Sequence, residues 1–252
     1  MRVSVIVPVL YGEPQLEATL QSLGRLSPSI DLEILVVVDV PDPVRESKAR
    51  AENDPVASSA GARILYRIGQ RGFGSALRHG FDHAASEVMI PFMGDSSDDP
   101  QAIPRMIQRI EEGWDVVAGS RYMRGGAIVG DTIKQRISRL YSLVVRWAGG
   151  PKIHDVSNAF KAYRRVVIEA VPTVSDSFDI SVELTVKASR AGFRVGEVPT
   201  VWTNRVLGAS NFRVGRETKH YGRWLLFALR SRLPFSSGTK SGTSSNFTGE
   251  VE

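Results

Sequence analysis

At 252 residues, 42% hydrophobic and 23% charged, the chain is long enough to bury a substantial core and has the balance of an ordinary folded domain. The absence of cysteine excludes disulfides, thiolate metal sites and a cysteine nucleophile, and none of the four histidines reads as paired at ligand spacing, which argues against a histidine-built zinc site. A net charge of +5 favours an anionic partner, with nucleic acid, anionic headgroups and phosphorylated substrates all open at this level.

The N-terminal stretch MRVSVIVPVLYGEP is short in apolar residues and lacks a cleavage-site pattern, so it does not read as a signal peptide. No run of about 18 apolar residues occurs to span a membrane. Both features point to a protein kept in the cytoplasm.

Residues 3–9, VSVIVPV, form a β-branched run suited to a strand buried on both faces. Leu16, Leu20 and Leu23 then recur at helical spacing up to Gly24. Strands are expected at 31–40 and, more weakly, 62–68, a helix at 75–85, a strand at 87–93, a helix at 102–113 and a strand at 114–121. This alternation predicts an α/β fold with a parallel, Rossmann-like sheet covered on both faces.

Farther on, 135–150 predicts a helix with Ile137, Leu140, Val144 and Trp147 on one side. The segments 158–171 and 180–193 suggest a strand leading into helices. Residues 194–203 form a late strand whose Pro199 suits an edge. A basic helix follows within 219–235, and from about Ser236 the Ser/Thr/Gly-rich tail has the composition of a disordered segment.

In an open parallel sheet, ligands bind beyond the carboxyl ends of the strands. The first strand is followed by Pro8, Tyr11 and Glu13, the second by Asp39, the fourth by Asp95, Asp98 and Asp99, and the fifth by GSRYMRGG. Acids at three strand ends and a base at the next match what a metal-diphosphate site and a second anion require. Each element also has a plain reading. Asp39 suits a turn before Pro41, Glu13 suits a helix start, and SSDDP suits a helix cap. Asp95, nearest the strand end, fits the capping role least.

Together these segments resemble the family 2 glycosyltransferases, and within them the dolichyl- and polyprenyl-phosphate mannosyl- and glucosyltransferases. The likeness runs from Val3 to Arg213 through VSVIVPVLYGE, EILVVVDV, GQRGFGSALRHGFDHA, GSRYMRGG, RISRLYS, DVSNAFKAYRR and FDISVELTVKASRAGFRVGEVPTVWTNRVLGAS, in the family's order. The resemblance implies a GT-A fold, inversion at the sugar carbon, Mg2+ or Mn2+, and a nucleotide-sugar donor such as GDP-mannose or UDP-glucose. Pro8, Tyr11, Glu13, Asp39, Gly72 and Asp95 would then hold the donor, and Asp95, Ser97 and Asp98 the metal. The family's DxD motif falls on Met93-Gly94-Asp95, so its first aspartate is replaced by methionine.

A polyprenyl monophosphate acceptor would need no general base, because its oxygen is already nucleophilic at neutral pH. It would need cations, and Arg121, Arg136 and Arg205 match the family's basic positions, with Arg139 and Arg213 beside them. A hydroxyl acceptor would instead require a carboxylate base, for which Asp155 or Asp179 are the candidates. A non-catalytic nucleotide-sugar-binding homologue is the third alternative. The organisation expected is a catalytic domain over 1–213, a basic amphipathic helix over 214–235 suited equally to a membrane surface or to packing on the domain's own core, and a tail over 236–252. Nucleic acid is not an expected partner.

Overall fold

The computed structural model of the protein describes residues 1–26, 30–130, 133–204 and 214–230. Seven strands, numbered in chain order, build one sheet: β1 (Val3–Leu10), β2 (Leu32–Val40), β3 (Arg63–Ile68), β4 (Val88–Pro91), β5 (Val116–Ser120), β7 (Lys161–Arg164) and β8 (Val195–Pro199). Their order is β3-β2-β1-β4-β7-β5-β8, and a separate ribbon pairs β6 (Ala127–Val129) with β9 (Val201–Thr203). All pairings within the sheet are parallel except those of β7, which runs antiparallel to both β4 and β5.

The β-branched first strand explains the central position of β1. Val3, Val5, Val7 and Val9 point to one face, where they meet Leu16, Leu20 and Leu23 of α1 (Leu16–Gly24) and Ile103, Met106 and Ile110 of α4 (Ile103–Glu111). Ile6, Leu35 and Val37 point to the other and pack on Ala76, Leu77 and Phe81 of α3 (Phe73–His83), with Val167 of α6 (Arg165–Ala170) and Ile180 of α7 (Ile180–Arg190) in the same cluster. Burial on both faces gives the apolar runs seen in the sequence. The mostly parallel, doubly covered sheet agrees with the expected fold, and Pro199 closes β8 at the sheet edge.

Three features differ from the sequence reading. Helix α2 (Glu46–Ser59) was not foreseen: it buries only Ala49 and Ala57 and contains Pro55, so it lacks an apolar stripe. The expected strand over 194–203 divides at Thr200 into β8 and β9, which join different sheets. Helix α5 (Ile133–Trp147) turns its apolar side outward. Ile133, Ile137, Leu140, Leu143 and Trp147 are 48–74% exposed, while Gln135, Ser142 and Val145 are buried.

Helix α8 (Val214–Arg230) packs beside α5 and α7, burying Trp224 and Ala228 in a third cluster with Val145, Val182 and Val186. Trp224 Nε1 donates to Asp179 Oδ2 at 2.8 Å, tying the helix to the start of α7.

From β1 the chain moves outward to β2 and β3, then returns across β1 to lay down β4. Neighbouring connections therefore leave β1 and β4 on opposite sides, opening a crevice at their carboxyl ends.

Candidate active site

One wall of the crevice follows β1 to β3. The Tyr11 amide donates to the Asp39 carbonyl at 3.0 Å, fixing the turn after β1 against the end of β2. Pro8 lies within β1 opposite Val37, past Ile6, where pairing with β4 ends, so its missing N–H breaks no β4 ladder bond. Glu13 accepts from the Gln15 amide at 3.4 Å in the turn before α1.

Asp39 is buried, and its Oδ2 accepts from the Gly72 amide at 3.2 Å. Burial raises its pKa, against the opposing charge of Arg67. Arg67 is equally buried, with Nε 3.4 Å from Asp39 Oδ1, yet Asp39 Oδ1 and Arg67 Nη1 have no hydrogen-bond partner. A buried acceptor and a buried donor thus stand together where the resemblance places the base of the nucleotide. Gly72 has φ +132°, and a Cβ there would lie 2.6 Å from the Asp176 carbonyl, so only glycine brings this amide to Asp39.

The second wall is the turn after β4. Asp95 Oδ1 accepts from the Ser97 amide at 3.2 Å, and Asp99 Oδ1 accepts from the Gln101 amide at 2.9 Å, capping a 3-10 turn at Pro100–Ala102. Asp99 is the cap that the sequence suggested. Asp98 is no cap. It is buried, its Oδ2 accepts from the Met93 amide at 3.0 Å, and its Oδ1 has no hydrogen-bond partner among the described residues. A carboxylate therefore stands beside position 93 although the side chain there is methionine. Gly94 lies against β1 so closely that a Cβ would sit 2.2 Å from Val9 Cγ1.

Burial pushes the Asp98 carboxyl from 3.8 up to about 7, with the Met93 amide opposing it. A raised folded pKa favours the protonated form, so its contribution to stability is complete below 3.8 and is lost as pH rises through about 7. In chelator, the melting temperature of Asp98→Asn is expected to gain on that of the native protein between about pH 4 and about pH 8. Parallel melting curves would rule out this burial effect.

A cavity of about 320 Å³ is lined by Ser96, Ser97, Asp98, Asp99, Val201 and Thr203. A second, of about 380 Å³, is lined by Arg121, Tyr122, Gln135, Arg136 and Arg139, with Met123 and residues 126–128. The β6–β9 ribbon borders both: Val201 and Thr203 line the first cavity, and Ala127, paired with Val201, and Ile128, paired with Trp202, line the second. The ribbon is fastened to the acidic turn by Thr203 N to the Ser97 carbonyl at 2.9 Å and a bridge between Asp98 and Trp202.

Arg121, Arg136 and Arg139 are thus brought together, and among the described residues no acidic one lines their cavity. Arg205 and Arg213 lie outside the described residues. Arg121 is held by Asp155 through Nε–Oδ2 at 2.6 Å and Nη2–Oδ1 at 3.0 Å, and by the hydroxyls of Ser138 and Ser157, each at 3.2 Å. Burial raises the Asp155 pKa, but the charge and hydrogen bonds of Arg121 outweigh it, and the net shift is downward. Lys161 lies beneath, its ammonium donating to the carbonyls of Val156 and Asn158, and burial lowers it to about 7.

Sequence reasoning missed Arg67 as the partner of Asp39 and Asp155 as the partner of Arg121. It also overlooked His79 and His83, which stand one helical turn apart on α3 with ring centroids 4.4 Å apart, at ligand spacing after all. No group of three His, Cys, Asp or Glu side chains gathers as a metal site among the described residues. A cation after β4 would instead draw on Asp95, Ser97, Asp98 and the ligand's own oxygens. That all-oxygen set suits Mg2+ or Mn2+, and the partnerless Oδ1 of buried Asp98 fits such an ion.

The mostly parallel, doubly covered sheet and its switch point have the architecture of the GT-A fold. The model of the family described as glycosyl transferase family 2 matches residues 4–171, and the chain belongs to that family. An undecaprenyl-phosphate mannosyltransferase of Micrococcus luteus is 31% identical over 250 residues, 92% of this chain and 99% of the relative. A polyprenol monophosphomannose synthase of Mycolicibacterium smegmatis is 27% identical over 94% of this chain and 91% of its own. A dolichol-phosphate mannosyltransferase of Pyrococcus furiosus is 29% identical over 84% of this chain, which spans only 60% of that relative's length. Among solved structures, glucosyl-3-phosphoglycerate synthase of Mycobacterium tuberculosis, in complex with Mn2+, UDP-glucose and phosphoglyceric acid, superposes with a TM-score of 0.63 at 19% identity, over 91% of this chain and 79% of that one.

Proposed function

We propose that this enzyme moves a hexose, mannose or glucose, from GDP-mannose or UDP-glucose to a polyprenyl phosphate, inverting the sugar carbon. The observation that carries the reading is the proposed acceptor cavity itself, lined among the described residues by three arginines and no carboxylate. A sugar-hydroxyl acceptor would call for a base. Neither of the two carboxylates suggested for that task is among the residues lining the cavity. Asp155 is tied to Arg121, and Asp179 accepts from Ser175 Oγ and Trp224 Nε1. A phosphate monoester needs neither.

In this reading Asp39, Arg67 and the Gly72 amide receive the base, with Pro8, Tyr11 and Glu13 around the nucleoside. Asp95, Ser97 and Asp98 would hold Mg2+ or Mn2+, Asp98 standing in for the aspartate missing at Met93. When bound, the ion neutralises charge on the departing diphosphate. Arg121 and Arg136 hold the acceptor phosphate, with Arg139 beside them and Arg205 and Arg213 assigned by resemblance. An acceptor phosphate oxygen bonds to the anomeric carbon as the sugar–diphosphate bond breaks, and its electron pair leaves with the nucleoside diphosphate.

The catalytic domain is taken as residues 1–213, with α8 docked on it. No helix among the described residues is long and apolar enough to cross a membrane. We place the protein peripherally, on the cytoplasmic face of the membrane. Support comes from the exposed apolar stripe of α5, a helix that carries Lys134, Arg136, Arg139 and Arg146 and no acid.

The test is incubation with Mn2+, labelled GDP-mannose or UDP-glucose, and polyprenyl phosphate in anionic vesicles, followed by extraction of label into organic solvent. Lipid-soluble label is expected, and transfer only to an oligosaccharide, or none despite nucleotide binding, would overturn the proposal. In the same assay Leu140→Glu/Trp147→Glu should lose vesicle-dependent transfer while keeping transfer to a short, water-soluble prenyl phosphate.

A further inference from the structure

Thr19, on α1, is fully buried, and its hydroxyl is saturated by the turn that carries Asp95. Oγ1 donates to the Gly94 carbonyl at 2.9 Å and accepts from the Ser96 amide at 3.1 Å. Since a hydroxyl has one proton to give, the 2.9 Å contact with Ser96 Oγ must be donated by the serine. One side-chain oxygen, 75 residues away from Gly94 in sequence, thus holds the peptide groups on both sides of Asp95.

The turn requires such a hold. Ser96 has φ +56°, the only left-handed non-glycine conformation among the described residues. That conformation is disfavoured for a side-chain-bearing residue and persists only where its surroundings impose it. On the other side, Gly94 is pressed onto Val9 of β1. Asp95 itself contributes the bond from its carboxylate to the Ser97 amide, which orients the side chain relative to the turn but does not anchor the turn to the sheet.

We infer that Thr19 is the positioning residue for the proposed metal-binding carboxylate: it locks the Gly94–Ser96 turn in the strained form that fixes Asp95 between two anchored peptide groups. The inference rests on Asp95 as a metal ligand, and its test separates the two. Thr19→Val keeps the shape and removes the hydroxyl; Thr19→Ser keeps the hydroxyl.

Amide hydrogen exchange over residues 92–99 reads the lock without any metal. Thr19→Val should speed exchange there at least about tenfold with little change elsewhere, and Thr19→Ser should stay near the native rate, as expected when a lone buried bond network is lost or kept. Mn2+ binding, followed by calorimetry in the presence of GDP and separately of UDP, reads the consequence. Thr19→Val should weaken it about tenfold or more, in the range seen when a supporting partner of a metal ligand is removed, and Thr19→Ser should restore it. Native exchange over 92–99 in Thr19→Val would overturn the lock. Faster exchange with unchanged Mn2+ affinity would overturn the positioning role. Equal Mn2+ binding by the native protein and Asp95→Asn would remove the metal reading on which the inference stands.

Discussion

Asp95→Ala is expected to abolish transfer, while Asp99→Ala leaves it nearly intact. The two acids lie four residues apart in one loop, but their bonds differ. Asp99 caps the turn at Pro100–Ala102, and losing a cap costs about 1 kcal/mol of stability. Asp95 stands in the turn after β4, in the acidic position that the family's DxD motif retains here, and accepts from the Ser97 amide rather than capping a helix. If its charge helps hold the ion on the leaving diphosphate, the several kcal/mol involved correspond to a fall of at least about 100-fold in rate, at about 1.4 kcal/mol per decade. Initial rates at saturating Mn2+ with either labelled donor make the comparison. Equal losses from the two variants would mean that both acids are structural, or both catalytic, and the assignment would fall.

Asp155→Leu should be the most destabilising single change in the basic cavity. Asp155 is wholly buried and carries the charge that balances Arg121. Removing one member of a buried pair strands the other, at a cost of about 3–5 kcal/mol, whereas replacing both with apolar groups is often neutral. The expected result is therefore a large drop in the urea midpoint for Asp155→Leu and recovery of most of it in Arg121→Met/Asp155→Leu. Transfer should stay lost in the double variant, because the cavity has given up a cation that faces the acceptor. If single and double variants unfold at the same urea concentration, the pair is not the unit of stability described above.

These expectations draw unequally on sequence and structure. The first half of the sheet was legible because strand-end punctuation is local: a β-branched run, then Pro, Tyr and Glu, or a run ending in Asp39, states its own register. Asp99 was legible for the same reason, since a cap is written within three residues. Arg67 was not, because an arginine inside β3 looks like an ordinary solvent-facing residue until Asp39 is seen beside it, across 28 positions of chain. The Arg121–Asp155 pair spans 34 residues, and no pattern in either segment announces the other. The stripe on α5 was visible as a period, but its direction was not. Periodicity marks which side chains share a face, not whether the face turns to the core.

The β6–β9 ribbon adds a thermodynamic consequence. Its strand β9 is bonded on one side to the turn of Ser97 and Asp98, and on the other to β6, whose residues form the wall of the arginine cavity. On the proposed reading, a donor that draws the acidic turn inward would shift a strand paired with one that lines the arginine cavity. Free energy spent in that shift belongs to both ligands. Whatever factor the donor imposes on acceptor affinity, the acceptor must impose on donor affinity in return. If the two cavities take donor and acceptor as proposed, a shared border only three residues long would make them a linked pair rather than two independent sites.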